Sequence, residues 1–268
     1  PLFRMTIIPH AGAGCTVLFA TLCRKISRFF IKVCRIIFSV EKFILLCYTF
    51  FRHSLKGAQK MKHIFLHGLG QTSSSWNDVI EFMENKPDIL CPDLCSLFSN
   101  NEISYQNLYK AFSEYCMEIS ESLNICGLSL GGILALQYGI EHPNKVNSLV
   151  LIGTQFVMPK KLLCFQNLIF RFMPNSAFKG MGFGKKDFIS LSKSMMSLDF
   201  QNSLQNLTCP VLVICGEKDG ANKQAALQLK EKLPHAGLSI IAGAGHEVNA
   251  EAPEQLGNEI NSFFQKTM

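Results

Sequence analysis

The sequence predicts an α/β fold in which a mostly parallel sheet lies between layers of helices. Short, continuous apolar runs alternate along the chain with longer stretches whose apolar residues recur at helical spacing. Strands that are apolar along their whole length are typical of a parallel sheet covered on both faces, and a helix between successive strands gives right-handed crossovers. The sequence contains no fixed-period repeat and no low-complexity tract that would indicate another class.

Six apolar runs in the body of the chain are predicted strands, and the stretches between them include three predicted helices. The strands are HIFL (63–66), DIL (88–90), LNICG (123–127), VNSLVLIGT (146–154), PVLVICG (210–216) and LSIIAG (238–243), and the helices are 108–119, 131–139 and 225–233.

The interval 157–208 breaks this alternation because it holds no obvious strand. It contains KLLCFQNLIFRFM and DFISLSKSMMSL, both apolar at helical spacing, with the glycine-rich link KGMGFGKK between them. A long interval of this kind is usually functional, and a Phe- and Met-rich face has to cover something. We therefore predict a small helical cap, and if it covers the site, Phe170 or Phe172 should influence which acyl chain is preferred. The alternative is a pair of helices that only covers a sheet edge.

The basic residues are concentrated at the front of the chain. Residues 1–60 carry a net charge of +9, which leaves −3 for residues 61–268 of the total of +6. The mildly acidic body argues against nucleic-acid binding. Charged residues interrupt every window of about 20 residues in the front segment, so a membrane-spanning helix is not expected there. We expect 1–60 to lie outside the domain formed by 61–268, and the alternative is a basic amphipathic membrane anchor.

The eleven cysteines favour a reducing compartment. Their number is odd, and most of those in the body lie inside apolar runs, which is typical of buried thiols and not of a disulfide framework. The pair in CPDLC lacks the spacing and the histidines of a zinc site. We predict a cytoplasmic protein with no metal and no cofactor.

The stretch ICGLSLGG (125–132) presents Ser129 between two glycines where a predicted strand meets a predicted helix. A serine on such a sharp turn is a candidate nucleophile, and the alternative is a glycine-rich turn with no chemical role. A serine hydroxyl needs a base to take its proton. His246 follows the last predicted strand and would meet Ser129 at the same sheet edge, although a lone histidine is often structural.

An acid has to orient that histidine and stabilise its cation. Asp219 follows the strand PVLVICG directly, and Glu217 is a less well placed alternative. The order serine, acid, histidine along the chain is that of one particular fold.

An oxyanion formed on attack would need two backbone N–H groups. The candidates are Leu130, which follows the serine, and Leu69 in HGLG after the first strand. His67 is expected to brace that loop. Trp76 is a candidate for binding substrate in an acyl pocket, and it is as readily a core residue.

The motifs HGLG, GLSLGG, GEKD and GAGHEVN, in this order, resemble those of the α/β-hydrolase family over about 62–264. The resemblance implies a catalytic triad of Ser129, Asp219 and His246 and an oxyanion hole at Leu69 and Leu130. Most members have eight strands, whereas this chain starts at what would be the third, so a sheet of about six strands is expected. The cap lies where many members of the family carry one.

These features predict a serine hydrolase that cleaves a small carboxylic ester or thioester through an acyl-enzyme, with a small acyl compound as its partner. Two alternatives remain open. One is a carbon–carbon lyase or hydrolase resembling the menaquinone-pathway synthase, and the other is a catalytically silent binding protein on the same fold. The oligomeric state does not follow from the sequence.

Overall fold

The computed structural model describes residues 61–84, 86–98, 102–233 and 235–267, which belong to a unit spanning Lys60–Met268. The front segment 1–60 and both interpretations of it lie outside the described residues. Within the described ranges, no helix combines the length and hydropathy required to cross a bilayer.

The described strands form one parallel sheet of six, which confirms the predicted class and the expected number of strands. In spatial order the sheet is β2-β1-β3-β4-β5-β6, and every pairing is parallel. The strands are β1 (Met61–Leu66), β2 (Ile89–Leu90), β3 (Ser122–Leu128), β4 (Val146–Ile152), β5 (Val211–Gly216) and β6 (Gly237–Ile241).

Helices follow most of the strands. They are α1 (Asn77–Glu81), α2 (Tyr105–Glu118), α3 (Leu130–Glu141), α4 (Lys160–Phe172), α5 (Lys185–Met195), α6 (Gly220–Lys232), α7 (Val248–Glu251) and α8 (Pro253–Thr267). Single 3-10 turns occupy Ser73–Trp76, Lys86–Asp88, Leu94–Leu97, Asn175–Phe178 and Gln201–Asn206.

The sheet separates two hydrophobic cores because successive side chains of a strand point to opposite faces. In β1, Ile64 faces the core that contains α3, whereas Phe65 faces the core that contains Ile260 and Phe264 of α8. Both faces are thus covered, which explains why the strands are apolar along their whole length.

The predicted helical cap is present between β4 and β5. Its helices α4 and α5 pack against each other, and three of its aromatic rings meet edge to face. The ring centroids of Phe170 and Phe188 lie 5.4 Å apart, and those of Phe178 and Phe188 lie 4.9 Å apart. An isolated antiparallel bridge between Val157 and Asp199 joins the two ends of the cap to each other.

Candidate active site

Ser129 lies in a sharp turn between the end of β3 and the start of α3. Its φ of 54° and ψ of −111° make it the one residue other than glycine with a positive φ in the described part of the chain. A side chain on Gly127 would overlap the backbone of Gly131, and a side chain on Gly131 would overlap the backbone of Leu66. Both glycines are therefore required for strand and helix to cross this closely.

His246 and Asp219 form a hydrogen-bonded pair at the same edge of the sheet. His246 follows β6, Asp219 directly precedes α6, and the distance from His246 Nδ1 to Asp219 Oδ2 is 2.7 Å. The Asp219 side chain is buried, whereas that of His246 is 41% exposed. The imidazole is thus held at one nitrogen and open to a ligand at the other.

The pair shifts both pKa values in the direction that favours the charged forms. The hydrogen bond to Asp219 raises the pKa of His246, and burial, which lowers it, is the smaller effect. Burial works to raise the pKa of Asp219, but the hydrogen bonds from His246 and Asn222 outweigh it and hold that pKa below its ordinary value. Asp219 is therefore an anion at neutral pH and stabilises an imidazolium beside it.

One cavity of about 470 Å³ brings together five of the predicted site residues. Ser129, Asp219, His246, Leu69 and Leu130 all line it. Among the described side chains, no hydrogen bond joins Ser129 to His246, and such contacts are often long in unliganded sites and shorten when substrate binds.

The two residues predicted to supply oxyanion-binding amides, Leu69 and Leu130, both line the cavity beside Ser129. Leu130 is the first residue of α3, so its N–H is one of those left without a partner inside the helix. The loop that holds Leu69 passes directly beside the serine, because a side chain on Gly68 would lie 3.6 Å from Ser129 Cβ. Gly70 allows the turn with a φ of 94°.

His67 holds the loop that contains Leu69 in place. The backbone N–H of Leu94 donates to His67 Nε2 at 3.0 Å, so the proton of the neutral ring is on Nδ1, which donates to the carbonyl of Gly68 at 2.9 Å. Burial lowers the pKa of His67 and keeps the ring neutral. These contacts are typical of a residue that supports a loop and not of one that binds substrate.

Three sequence expectations need correction. Trp76 is fully buried in the core on the α8 side of the sheet, with its ring 5.1 Å from that of Phe65, and does not line the cavity beside Ser129. Phe172 is 82% exposed and Phe170 packs against other rings of the cap, so neither is part of the described cavity wall. In each case the local sequence around the aromatic residue is as compatible with a core or a surface position as with a pocket.

Glu217, the alternative acid, is directed away from His246. Its carboxylate is exposed and accepts a hydrogen bond from the backbone N–H of Gly243 at 2.8 Å. Asp219 alone of the two contacts the imidazole.

Three residues that sequence reasoning did not identify, Asn222, Gln155 and Gly153, support the Asp219–His246 pair. Asn222 Nδ2 lies 2.9 Å from each carboxylate oxygen of Asp219, and Gln155 Nε2 donates to Asn222 Oδ1 at 2.9 Å. Gly153 packs against the pair so closely that a Cβ there would lie 3.1 Å from the His246 ring. Asp219 could have been recognised as the N-cap of this helix, whose carboxylate accepts from the backbone N–H three residues later, here that of Asn222.

The cap supplies the apolar wall of the cavity. Leu163, Phe165 and Ile169 of α4 and Met195 of α5 line it. Ser192 also lies on this wall, and its buried hydroxyl has no hydrogen-bond partner among the described residues. In the same ranges no group of three or more His, Cys, Asp or Glu side chains is arranged to hold a metal ion.

The sequence matches the family model described as the alpha/beta hydrolase family over residues 64–259. Among curated proteins, it is 23% identical over 252 residues to a biotin biosynthesis bifunctional protein of Teredinibacter turnerae, which covers 76% of this chain and 44% of that protein. Two proteins called pimeloyl-[acyl-carrier protein] methyl ester esterase are also similar. The one from Legionella pneumophila is 25% identical over 56% of this chain and 62% of its own length. The one from Vibrio parahaemolyticus is 20% identical over 75% and 93%.

The chain thus spans less than two thirds of the length of the first two relatives. Among solved structures, MenH from S. aureus superposes with a TM-score of 0.65 at 16% identity over 78% of this chain and 94% of its own. A thermophilic esterase from Thermogutta terrifontis superposes with a TM-score of 0.64 at 18% identity over 78% and 91%. Likeness at these identities shows a shared fold.

Proposed function

Because the chain belongs to the α/β-hydrolase family, we propose that it is a serine hydrolase that cleaves a small carboxylic ester or thioester. The observation that carries the proposal is the strained turn at Ser129, a residue that lines the same cavity as His246. A turn with no chemical role would not need a serine in this rare conformation.

In the proposed reaction, His246 Nε2 takes the proton of the Ser129 hydroxyl as its oxygen attacks the carbonyl carbon. The carbonyl oxygen becomes an oxyanion that accepts hydrogen bonds from the N–H groups of Leu69 and Leu130. His246 then gives its proton to the leaving alkoxide or thiolate, and an acyl-Ser129 ester remains. Water, deprotonated by the same imidazole, releases the carboxylic acid and restores the serine.

The Asp219 carboxylate supports each proton transfer. Its hydrogen bond to His246 Nδ1 fixes the tautomer that leaves Nε2 free to accept, and its charge stabilises the imidazolium that forms. Asp219, Ser129 and His246 are thus the proposed catalytic triad.

The cavity favours an uncharged acyl chain of modest length. Its wall is built largely from apolar side chains of the cap, and no lysine or arginine is among the described residues that line it. The names of the Legionella and Vibrio relatives support a methyl ester or a similarly small alcohol as the leaving group. The carbon–carbon lyase alternative has less support, because the one arginine of the cap, Arg171, does not line the described cavity.

The decisive test is labelling with a fluorophosphonate probe, followed by a series of p-nitrophenyl esters from acetate to decanoate. Wild type should be labelled and should hydrolyse the shorter esters, whereas Ser129→Ala should lose both properties with an unchanged melting temperature. Ser192→Ala is the matched control, since it removes another serine from the same wall. Labelling that survives in Ser129→Ala would refute the proposal, and wild type that is neither labelled nor active would favour the silent binding protein.

A further inference from the structure

An unusual share of the exposed apolar surface lies on one helix of the cap. Nine large hydrophobic residues are exposed in the described part of the chain, and five of them belong to α4. The exposed fractions rise to 62% for Phe165 and 82% for Phe172. These five residues, here called the cap face, are Leu162, Phe165, Leu168, Ile169 and Phe172.

The cap face is continuous with the mouth of the cavity. Its residues recur at intervals of three and four, so they form a stripe along one side of α4. Three of them also line the cavity beside Ser129, whereas Leu168 and Phe172 do not. A flat apolar phase that met this stripe would therefore also meet the entrance to the proposed active site.

The charge around the stripe is positive, although the rest of the domain is acidic. The cap, residues 157–208, contains seven lysines and arginines and two aspartates, a net charge of +5. Since residues 61–268 carry −3 in total, the remainder of that region carries −8. None of the salt bridges among the described residues uses a cation of the cap. Lys160, Lys161 and Arg171 belong to α4 itself.

We propose that the cap face docks on an anionic phospholipid surface, with its apolar side chains among the acyl chains and its cations at the headgroups. A helix with a large apolar stripe and basic flanks is the signature of a segment that lies in a membrane interface. Docking in this orientation brings the cavity to lipid-dissolved esters. The contact requires no turnover, so it stands or falls independently of the proposed hydrolysis.

Two other occupants fit the observations less well. A second copy of the chain would bring two caps of +5 together, and that repulsion opposes association. A soluble acidic protein would satisfy the charge, but side chains as exposed as Phe165 and Phe172 would need an apolar partner as well. A lipid surface offers the negative charge and the apolar phase together.

The protein allows a fluorescence test that reports on the cap face alone. Its single tryptophan, Trp76, is fully buried. Phe172→Trp in the full chain therefore adds a fluorophore whose contribution is obtained by subtracting the wild-type spectrum. With phosphatidylglycerol vesicles, its emission should shift to the blue and should be quenched by brominated acyl chains. Phosphatidylcholine vesicles should have a much weaker effect.

The matched control is Met117→Trp on α2, which is 64% exposed and lies outside the cap. Its emission should not change. This comparison separates docking of the cap from any membrane binding by the basic segment 1–60, which would bring both variants to the vesicles. Equal behaviour of the two tryptophans, or no shift in either, would overturn the proposal.

Charge reversal provides a second measurement. In the Phe172→Trp background, Lys160→Glu, Lys161→Glu and Arg171→Glu together should weaken vesicle binding of the reporter at least tenfold. Reversing Lys110, Lys232 and Lys266, which lie outside the cap, changes the net charge equally and should weaken vesicle binding far less.

A reporter that is already blue-shifted without lipid, in proportion to protein concentration, would indicate a second copy. A shift as large with soluble polyglutamate as with vesicles would indicate an acidic protein. Either result would overturn the proposal.

Discussion

Asn222 contacts both oxygens of the Asp219 carboxylate, with its Nδ2 2.9 Å from Oδ1 and 2.9 Å from Oδ2. The same nitrogen lies 3.1 Å from His246 Nδ1. In the tautomer that the proposed mechanism needs, His246 Nδ1 carries a proton for Asp219, so two donors face each other there and their contact is not a hydrogen bond. We therefore expect Asn222 to act on the histidine through the carboxylate, as a positioning residue.

Asn222→Leu should lower kcat/KM by about tenfold or more, because a hydrogen bond to a charged group is worth about 1.5–3 kcal/mol. The matched variant is Gln155→Leu, which removes a contact to Asn222 but none to Asp219. It should have a smaller effect. The rate of fluorophosphonate labelling reports on positioning of the proposed triad, and the melting temperature reports on a structural role. A loss of stability without a loss of kcat/KM would make Asn222 purely structural.

Gly153→Ala should damage activity more than stability. Gly153 has a φ of 53°, and an added Cβ would lie 3.1 Å from the His246 ring and 3.3 Å from Asp219 Oδ2. The backbone strain for alanine is on the order of 1–2 kcal/mol, and displacement of the pair is an additional cost to kcat.

Gly180→Ala is the control that introduces the backbone strain without a contact to the Asp219–His246 pair. Its φ of 79° is also positive, but nothing lies within 4 Å of the added Cβ. Both variants should lose similar stability in urea unfolding, whereas Gly153→Ala alone should lose most of its turnover. Equal kcat values would show that Gly153 serves only the turn.

The elements that the sequence predicted well are those fixed by local pattern. The apolar runs around Ile125 and Val150 are buried on both faces of the sheet, and this burial is what a continuous apolar strand requires. The turn at Ser129 could be predicted because Gly127 is required by the close approach of Gly131, which is local in the chain.

The role of Gly153 could not be predicted in the same way. Gly153 follows β4, yet the groups that exclude a side chain there come from residues 66 and 93 positions later. Trp76 illustrates a second difficulty, since the stretch SSSWND does not reveal which side of the sheet its aromatic residue will enter. The surroundings of Gly153 and of Trp76 both depend on the order of the strands in the sheet, which the periodicity of apolar residues does not encode.

Asp219→Asn should lower turnover by several orders of magnitude, about 10⁴-fold by the precedent of a neutralised triad acid. Glu217→Gln should change it little, because Glu217 contacts Gly243 and not the histidine. Steady-state kinetics on a short p-nitrophenyl ester distinguish the two residues. The reverse pattern would transfer the role of the acid to Glu217.

The pH dependence of kcat/KM should report His246. The imidazole acts as a base only when neutral, and its pKa is raised above 6.5, so activity should rise with pH to a midpoint above 6.5. In Asp219→Asn the hydrogen bond to the charged partner is lost while burial remains, so the midpoint should move to lower pH. If activity falls at the same acidic pH in wild type and in Asp219→Asn, the titrating group is not His246.

Met195 should set the length of acyl chain that the proposed hydrolase accepts. It is nearly buried on α5 and lines the cavity beside Ser129, so Met195→Phe fills space that a longer chain would occupy. Each methylene excluded from an apolar pocket costs about 1–3 kcal/mol, so the ratio of kcat/KM for octanoate over butyrate should fall at least tenfold. Phe172→Ala is the control, since Phe172 is outside the described cavity wall and should leave the ratio unchanged for dissolved esters. A uniform fall on every ester in Met195→Phe, tracking a lower melting temperature, would show overpacking of the cap and no role in chain length.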